Sequence, residues 1–346
     1  MFWSHPDFDD HEAVHFFTDR ASGLKAIIAV HSTHRGPSSG GVRFWRYARD
    51  EDALTDALRL SRGMSYKNAM AGLPIGGGKG VILSDGAPKT DAQLEAFGAA
   101  IEALGGRYIT AEDVGMSEAD MSAIAQSTRY VSGLPVASGA AGGNPGPLTA
   151  IGVYLGVRAA VAEGLGKDSV AGVHVAIQGL GSVGGGLARK LAADGARLTL
   201  ADVDAARAKA LADELGARAV DARDVMTVEA DVFSPNALGA ILDEYSIPRL
   251  NVPIVAGGAN NQLAAAADAD RLHARGILYA PDYVINAGGI INVALEYLGQ
   301  GDRAEVEARI GEIPGRLREI WARSKASGRP AALVADDMAR ALIGRG

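Results

Sequence analysis

Apolar positions in the first part of the chain recur with two periods, one typical of strands and one typical of helices. Short apolar runs predict strands at residues 25–32, 41–47, 80–83 and 107–110. Helical spacing predicts helices at residues 50–64, 91–104 and 117–126. Ser117 and Asp120 form a capping-box pattern at the start of the last of these helices. Strands that alternate with helices predict an α/β domain.

Two histidines lie before these elements. His11 and His15 have the i, i+4 spacing that places two side chains on one face of a helix. We therefore predict a solvated helix at the N-terminus. Because no third candidate ligand lies nearby, the pair does not predict a metal site.

The second part of the chain alternates strand and helix patterns more clearly. Its predicted strands are residues 173–178, 197–201, 231–233, 253–256 and 277–279. Its predicted helices are residues 148–163, 182–193, 205–215, 303–325 and 331–343. Pro314 is expected to kink or divide the helix that contains it. The pattern predicts a parallel, doubly wound sheet, and the Gly/Pro-rich residues 138–147 predict a domain boundary before it.

The composition narrows the class of protein. The chain has 346 residues, of which 48% are hydrophobic and 22% charged, as in soluble globular proteins. With a net charge of −7 and no basic run, we expect no nucleic-acid partner. The absence of cysteine excludes a thiol nucleophile and fits a cytoplasmic enzyme. The acidic N-terminal segment does not resemble a signal peptide, and no run of about 18 apolar residues predicts a membrane span.

A glycine motif follows the first strand of the second part. Residues 179–184 read Gly-Leu-Gly-Ser-Val-Gly, between an apolar strand and a helix. This context is typical of a Rossmann dinucleotide site. Gly179 permits a tight turn, Gly181 lets the backbone approach a pyrophosphate, and Gly184 lets the helix pack on the strand.

The same motif predicts which dinucleotide binds. Ser182 and Val183 open the helix, whose N-terminal N–H groups favour phosphate. Asp202 ends the next strand, where a carboxylate accepts hydrogen bonds from the ribose hydroxyls and repels a 2′-phosphate. The sequence therefore predicts NAD as the cofactor rather than NADP.

A second glycine-rich segment carries two lysines. Residues 64–83 include Lys67 and Lys79, on either side of a Gly-Gly-Gly turn. A Walker A motif would need glycine at position 73 and Ser or Thr at position 80, where this chain has Leu73 and Gly80. The segment is therefore not a phosphate loop. By itself it is equally compatible with a surface loop that carries a solvated lysine.

Several other segments resolve this ambiguity. They are residues 36–41 (Gly-Pro-Ser-Ser-Gly-Gly), 108–115 (Tyr-Ile-Thr-Ala-Glu-Asp-Val-Gly), 259–262 (Ala-Asn-Asn-Gln) and 280–289 (Ala-Pro-Asp-Tyr-Val-Ile-Asn-Ala-Gly-Gly). Together with residues 64–83, they resemble the glutamate/leucine/phenylalanine/valine dehydrogenase family, in the same order and almost from end to end. The leucine and phenylalanine branch is the most similar.

This resemblance implies an NAD-dependent enzyme that oxidatively deaminates an L-amino acid to the 2-oxo acid and ammonia, reversibly. It implies that Lys67 pairs with the substrate α-carboxylate and that Lys79 activates water. It implies that Asp113 exchanges protons with the substrate nitrogen. Neighbouring ammonium groups in a closed site lower each other's pKa, which suits a lysine that must act in its neutral form.

The resemblance also implies where further contacts lie. Asn260 and Asn286 match positions near the nicotinamide and the substrate, and Thr149 matches a contact of the carboxamide. Each of these three side chains is also compatible with a purely structural role, such as capping a loop.

The substrate pocket is predicted to be apolar. The glutamate enzymes of the family carry a lysine at the position of Ser39 and a hydroxyl residue at the position of Val293. At these positions this chain has no cation that could pair with the γ-carboxylate of a glutamate substrate. Predicted contacts of the substrate are Ser39, Gly40, Gly41, Met64, Ile290 and Val293. The small Ser39 favours a large side chain such as phenylalanine, although leucine, valine and a polar substrate stay open.

The resemblance predicts the organisation of the molecule as well. We expect a substrate domain at residues 1–145, onto which residues 331–346 fold back, and a Rossmann domain at residues 146–330. A cleft that closes by hinge rotation is expected between them. The chain ends soon after the last predicted helix, which favours a homodimer over a larger homo-oligomer. The alternatives are a glutamate dehydrogenase-like enzyme and a catalytically silent NAD-binding regulator.

Overall fold

The protein, as a computed structural model, is described over residues 2–134, 144–299 and 302–346. These residues form two compact units. The first comprises Met1–Asn144, Ile290–Val306 and Ala339–Gly346, and the second comprises Pro145–Gly289 and Glu307–Met338. The predicted division differs from these units in two places. It placed residues 290–306 in the second domain, whereas they group with the first unit, and it placed residues 331–338 with the first domain, whereas they group with the second unit. Residues 138–143 of the predicted Gly/Pro-rich connection lie outside the described residues.

The first unit is built on a mixed five-stranded sheet with the order β1-β2-β4-β3-β5. Its strands are β1 (Ala13–Asp19), β2 (Leu24–Ser32), β3 (Ser38–Trp45), β4 (Gly76–Leu83) and β5 (Tyr108–Glu112). Its first helices are α1 (Asp50–Met70), α2 (Asp91–Glu102) and α3 (Glu118–Ile124). β3 runs parallel to both β4 and β5, whereas β1 and β2 are antiparallel to their neighbours.

Helices cover both faces of this sheet. On one face, Ala53 and Ala57 of α1 form a buried cluster with Val81 of β4. On the other face, Phe97 of α2 and Met121 of α3 belong to a larger buried cluster. Strand β2 is therefore buried from both sides, which explains its continuous apolar run from Ala26 to Val30.

The prediction of an N-terminal helix is wrong. The segment that includes His15 is strand β1, which pairs with β2 from Ala13 opposite Val30 to Asp19 opposite Leu24. The spacing of His11 and His15 is equally compatible with a strand, whose alternate residues share a face. The β-branched and aromatic residues of Ala13–Asp19 favour a strand. His11 is buried rather than solvated, with 7% of its surface exposed.

The second unit is built on a parallel six-stranded sheet with the order β11-β10-β9-β6-β7-β8. Its strands are β6 (His174–Gln178), β7 (Arg197–Ala201), β8 (Arg218–Ala219), β9 (Val232–Pro235), β10 (Ile254–Val255) and β11 (Leu278–Tyr279). The strand order reverses at β6, as in dinucleotide-binding Rossmann domains. The structure thus confirms the predicted α/β class and the doubly wound parallel sheet.

The remaining helices complete the fold. They are α4 (Gly146–Leu165), α5 (Ser182–Ala193), α6 (Ala205–Leu215), α7 (Ala267–Ala274), α8 (Asp282–Ile285), α9 (Gly288–Tyr297), α10 (Arg303–Ile310), α11 (Ile313–Ser327) and α12 (Ala331–Leu342). The predicted helix at residues 303–325 is divided into α10 and α11, and Pro314 lies in the first turn of α11. Proline is tolerated there because N–H groups in the first turn have no partner inside the helix.

Helix α4 is long and apolar enough to span a membrane by length and composition alone. Within the second unit, however, it packs against α5 and α11, with Val153, Val157 and Ala160 buried. This burial is typical of the core helix of a globular domain.

Candidate active site

A buried lysine and an aspartate meet at the centre of the first sheet. Lys79 lies in the middle of β4, and Asp113 directly follows β5. The Nζ atom of Lys79 donates to Oδ2 of Asp113 at 2.6 Å. Only 5% of Lys79 is exposed. Because β3 separates these two strands in the sheet, the pair forms across β3, beside its two central glycines.

An arginine that the sequence did not point to joins this pair. Arg43 of β3 donates from Nε to the same Oδ2 of Asp113 at 3.1 Å. Its Nη1 atom donates to Oδ2 of Asp56, on α1, at 2.7 Å. The hydroxyl of Tyr47 donates to the same Asp56 oxygen at 2.6 Å. Lys79 and Arg43 therefore contact the same oxygen of Asp113, and Arg43 also pairs with Asp56.

Burial and the two cations act on Asp113 in opposite directions. Burial raises the pKa of this carboxyl group, Lys79 and Arg43 lower it, and the pKa of Asp113 lies below its ordinary value. Burial lowers the pKa of the Lys79 ammonium, and pairing with Asp113 only partly opposes this effect. Asp113 is thus an anion at neutral pH, and Lys79 is closer to losing its proton than a solvated lysine.

Two glycines allow the strands to carry these groups so close together. A Cβ atom on Gly41 would lie 2.8 Å from Cβ of Asp113 and 2.7 Å from the carbonyl oxygen of Glu112. The hydroxyl of Tyr108 donates to the carbonyl oxygen of Gly40 at 2.7 Å and fixes β3 at this point. Any larger residue at position 41 would displace Asp113.

The other predicted substrate contacts lie on β3, α1 and α9. Ser39 is buried on β3, paired with Gly77 of β4 and Ile109 of β5. Met64 is on α1, and its Cγ would lie 3.0 Å from a Cβ atom on Gly40. Lys67 is half-buried on α1, which continues to Met70 rather than ending at residue 64 as predicted. The last two, Ile290 and Val293, are on α9 in a segment that groups with the same unit.

The glycine motif of the second unit has the geometry that a dinucleotide requires. Gly179 has a φ of +84°, and a Cβ atom on Gly184 would lie 1.8 Å from the carbonyl oxygen of Gly179. Around a Cβ atom on Gly181, none of the described residues beyond its chain neighbours comes within 4 Å. Ser182 and Val183 open α5, which among the described residues has no side-chain cap. No side chain of the N-cap residue occupies the N–H groups of this helix end, which fits a pyrophosphate.

Asp202 lies where a ribose-binding carboxylate is expected. It follows β7, is 8% exposed, and accepts a hydrogen bond from the backbone N–H of Leu180 at 2.7 Å. Its other oxygen accepts from the N–H of Asp204 at 2.9 Å and lies 3.5 Å from Arg207. Burial raises the pKa of Asp202, but these contacts prevail and the pKa lies below its ordinary value. The carboxylate is thus held ionised beside the glycine turn.

Two asparagines predicted to lie near the nicotinamide are in contact with each other. Asn286 donates from Nδ2 to Oδ1 of Asn260 at 2.7 Å. The buried Oδ1 atom of Asn286 has no hydrogen-bond partner among the described residues, so an amide N–H of a bound group would satisfy it. Thr149, on the first turn of α4, donates to the carbonyl oxygen of Pro145 at 2.9 Å. These residues and the glycine turn fit NAD.

Two family models match this chain. Residues 11–130 match the family model described as "Glu/Leu/Phe/Val dehydrogenase, dimerisation domain". Residues 200–327 match the model described as "Glutamate/Leucine/Phenylalanine/Valine dehydrogenase". The chain belongs to this family. Family membership confirms the resemblance read from the motifs.

Individual members of the dehydrogenase family are similar over nearly the whole chain. The leucine dehydrogenase of Geobacillus stearothermophilus is 48% identical over 335 residues, which are 96% of this chain and 91% of the relative. The valine dehydrogenase of Streptomyces virginiae is 45% identical over 339 residues, covering 97% and 94%. The crystal structure of the L-tryptophan dehydrogenase of Nostoc punctiforme superposes with a TM-score of 0.86, at 39% identity, over 96% of both chains.

These findings confirm the predicted enzyme class. The protein is an amino-acid dehydrogenase, and it is NAD-dependent as the family is. Relatives named for leucine, valine and tryptophan support oxidative deamination of apolar amino acids over a glutamate enzyme or a silent regulator.

Proposed function

We propose that Lys79 and Asp113 carry out the proton transfers of this oxidative deamination. The observation that supports the proposal is the 2.6 Å contact between a buried ammonium and a carboxylate that is held ionised. A group that takes a proton must lie within hydrogen-bond reach of it and be unprotonated, which the ionised Asp113 is and which a lysine achieves only if its pKa is shifted toward the range of the working pH. Burial lowers the pKa of Lys79 toward that range.

The role of each residue follows from its charge. Lys67 pairs with the substrate α-carboxylate, and Asp113 accepts a proton from the substrate ammonium group so that the amine becomes neutral. The hydride that leaves Cα would pass to the acceptor that bound NAD⁺ supplies. Neutral Lys79 then takes a proton from water as the water oxygen bonds to the imine carbon. Asp113 returns a proton to the nitrogen, and as the C–N bond breaks the hydroxyl proton of the intermediate passes to the Asp113 carboxylate, so that ammonia leaves and the 2-oxo acid forms.

The pocket determines the substrate class. Ser39, Gly40, Gly41, Met64, Ile290 and Val293 supply no charge to a substrate side chain. A side-chain carboxylate would be desolvated there without a partner, which costs several kcal/mol. We therefore propose apolar L-amino acids as substrates, and among them a preference for large side chains, because the small Ser39 leaves space.

A panel of L-amino acids tests this proposal. NADH formation is followed by absorbance with leucine, valine, phenylalanine, tryptophan and glutamate, each with NAD⁺ and with NADP⁺. We expect turnover of the apolar amino acids with NAD⁺, higher kcat/KM for phenylalanine than for valine, and little turnover of glutamate or with NADP⁺. Turnover of glutamate alone would contradict the proposed pocket. NADH binding without turnover of any amino acid would support a regulator.

The cofactor residues are part of the same proposal. Gly179, Gly181, Ser182, Val183 and Gly184 bind the pyrophosphate, and Asp202 binds the adenosine ribose. Asn260, Asn286 and Thr149 act near the nicotinamide. The ionised Asp202 would repel a 2′-phosphate, which supports NAD over NADP.

We also propose that the protein forms a homo-oligomer, most simply a dimer. Strand β1 lies at the edge of its sheet, and Phe16 on this strand is 62% exposed. An edge strand with an exposed aromatic side chain is a ready site for pairing with a second copy. The name of the matching family model, a dimerisation domain, supports the same proposal.

A further inference from the structure

One charged group at the centre of the first unit has no part in the proposed reaction. Arg43 is half-buried on β3, and its guanidinium bridges two carboxylates on different elements. Asp113 follows β5, and Asp56 is on α1. An arginine placed only for solubility would not be held by two anions at 2.7 and 3.1 Å.

The contacts form a chain of alternating charge. Asp56 contacts Arg43, Arg43 contacts Asp113, and Asp113 contacts Lys79. The hydroxyl of Tyr47 donates to Asp56 at 2.6 Å and fixes the outer end of this chain. Other ionisable groups on the packed elements include Lys67 of α1 and Glu112 and Tyr108 of β5. The hydroxyl of Tyr108 donates to the carbonyl oxygen of Gly40 at 2.7 Å.

The proton transfers make specific demands on such a chain. Lys79 must be unprotonated to activate water, and a neutral Lys79 no longer stabilises the Asp113 anion that has to accept the substrate proton. Arg43 keeps its charge at every pH at which proteins are stable. It therefore acts as a permanent cation that holds Asp113 in one rotamer and keeps it ionised until it accepts the substrate proton. Its positive charge also disfavours a proton on nearby Lys79.

We propose that Arg43 is a positioning residue that, with Asp56 as its anionic partner, sets the charge states of Lys79 and Asp113. This inference rests on the proposed function. The negative charge of Asp56 partly cancels the electrostatic field of Arg43. Removing Arg43 and removing Asp56 therefore change the field at Lys79 in opposite directions. Loss of Arg43 favours protonated Lys79, whereas loss of Asp56 favours neutral Lys79.

The test is the pH dependence of kcat/KM for oxidative deamination in Arg43→Gln and Asp56→Asn. The acid limb, where Lys79 loses its proton, is expected to move up by about one pH unit in Arg43→Gln. It is expected to move down in Asp56→Asn. Arg43→Lys, which keeps the charge, is expected to restore the limb to near its original position. Matched controls are Arg46→Gln and Asp50→Asn, which change exposed residues by the same charge and should leave the limb unmoved.

The outcomes separate the inference from the proposal on which it rests. Shifts of opposite sign in Arg43→Gln and Asp56→Asn support it, since a merely structural role lowers activity without moving the limb. An unmoved limb in both variants overturns it, as does a rise in KM with an unchanged profile, which would make Arg43 a substrate-binding residue. Full turnover by Lys79→Ala would instead overturn the proposed function itself.

Discussion

The chemistry of the protein depends on how single side chains are charged. Lys79 is buried, and its ammonium has one carboxylate partner, Asp113. Burial lowers its pKa below the ordinary value of 10.5. Because the neutral amine is the active form in deamination, we expect kcat/KM to rise with pH as one group loses a proton, at a pH below 10.5. A pH–rate profile measures this, and a limb at or above the value of free lysine would show that burial does not tune this group.

Ser39 is expected to control discrimination against acidic substrates. It is buried on β3, beside the strand that carries Lys79. In Ser39→Lys, an ammonium would give a substrate γ-carboxylate the partner that it lacks here. We expect the ratio of kcat/KM for glutamate to that for phenylalanine to rise about 10- to 200-fold, the range that one changed contact in a pocket typically gives.

A neighbouring serine provides the control for this substitution. Ser38 donates to the carbonyl oxygen of Arg107 at 2.6 Å and is a structural residue of the same strand. Ser38→Ala should leave the ratio unchanged. An unchanged ratio in Ser39→Lys as well would mean that position 39 does not contact the substrate.

Arg43 shows the limit of prediction at the residue scale. The lysines and Asp113 were identified because they lie in motifs shared with a family, and the structure brings Lys79 and Asp113 into contact. Nothing in the sequence near Arg43 indicates a partner, because its two carboxylates are 13 and 70 positions away along the chain. Only the order of strands, with β3 beside β5, brings Arg43 to Asp113.

At the scale of elements, close packing of β3 against the end of β5 is a requirement of the site. A Cβ atom on Gly41 would lie 2.8 Å from Cβ of Asp113. We expect Gly41→Ala to lower stability by about 1–3 kcal/mol, as overpacking does, and to lower kcat further by moving Asp113. Thermal unfolding and steady-state kinetics measure these effects.

The control for this variant is another glycine-to-alanine change. Gly63 is exposed within α1, and a Cβ atom there would meet nothing within 4 Å. Gly63→Ala should be neutral or slightly stabilising, since alanine favours a helix by roughly 1 kcal/mol over glycine. If Gly41→Ala behaves in the same way, the close approach of β3 and β5 is not needed.

The N-terminal segment is attached to α1 by a neutral histidine. Nε2 of His11 lies 3.1 Å from the carbonyl oxygen of Leu58 and 3.0 Å from Oγ of Ser61, while Nδ1 accepts from the N–H of Asp9 at 3.2 Å. A proton on Nδ1 would point at that N–H group and replace the hydrogen bond by a repulsive contact, so the fold favours the neutral ring. Burial, the largest cause, lowers the pKa of His11 from 6.5 to about 4.

This shift makes stability depend on pH. Unfolded His11 binds a proton below pH 6.5, and folded His11 binds one only below about 4, so falling pH between these values favours the unfolded state. The loss is at most roughly 3 kcal/mol. We expect the fall in Tm between about pH 7.5 and pH 5 to be smaller in His11→Gln. Exposed His34 supplies the control, His34→Gln, and equal falls in all three proteins would contradict this role.

Helices and strands were predictable where the apolar period was unambiguous. α5, β7 and α6 have the predicted bounds, because helical and strand periods alternate cleanly there. β1 was not predicted, because two histidines at i and i+4 suit a helix face and a strand face alike. Helix α1 was predicted too short, since the polar residues beyond Met64 include Lys67 and hide the helical period.

At the scale of the molecule, the bounds of the two units depend on contacts that are distant in sequence. Residues 290–306 group with the first unit, although they follow the Rossmann strands in the chain. Glu296 of α9 illustrates why, because its carboxylate accepts from the N–H groups of Gly133 and Leu134 at 2.9 and 3.0 Å. A contact between residues separated by more than 160 positions leaves no local signal in the sequence.

The proposed dimer is a property of the same scale. If β1 pairs with a second copy, a charge on its exposed face should weaken the assembly. We expect the protein to sediment as a dimer and Phe16→Lys to sediment largely as a monomer. Tyr245 is 76% exposed in the second unit, and Tyr245→Lys is the control that should stay dimeric. Unchanged sedimentation of Phe16→Lys would place the interface elsewhere.

The most direct test of the central claim compares turnover and cofactor binding in Lys79→Ala. Lys79 belongs to the first unit and the glycine turn to the second, so a loss of proton transfer should leave cofactor binding intact. We predict that kcat falls by about 10²- to 10⁴-fold or more, the contribution typical of general acid–base catalysis. The Kd for NADH, measured by fluorescence titration, should stay within about twofold of the original value. A kcat close to that of the unaltered enzyme, or an equal loss of turnover and NADH binding, would contradict the claim.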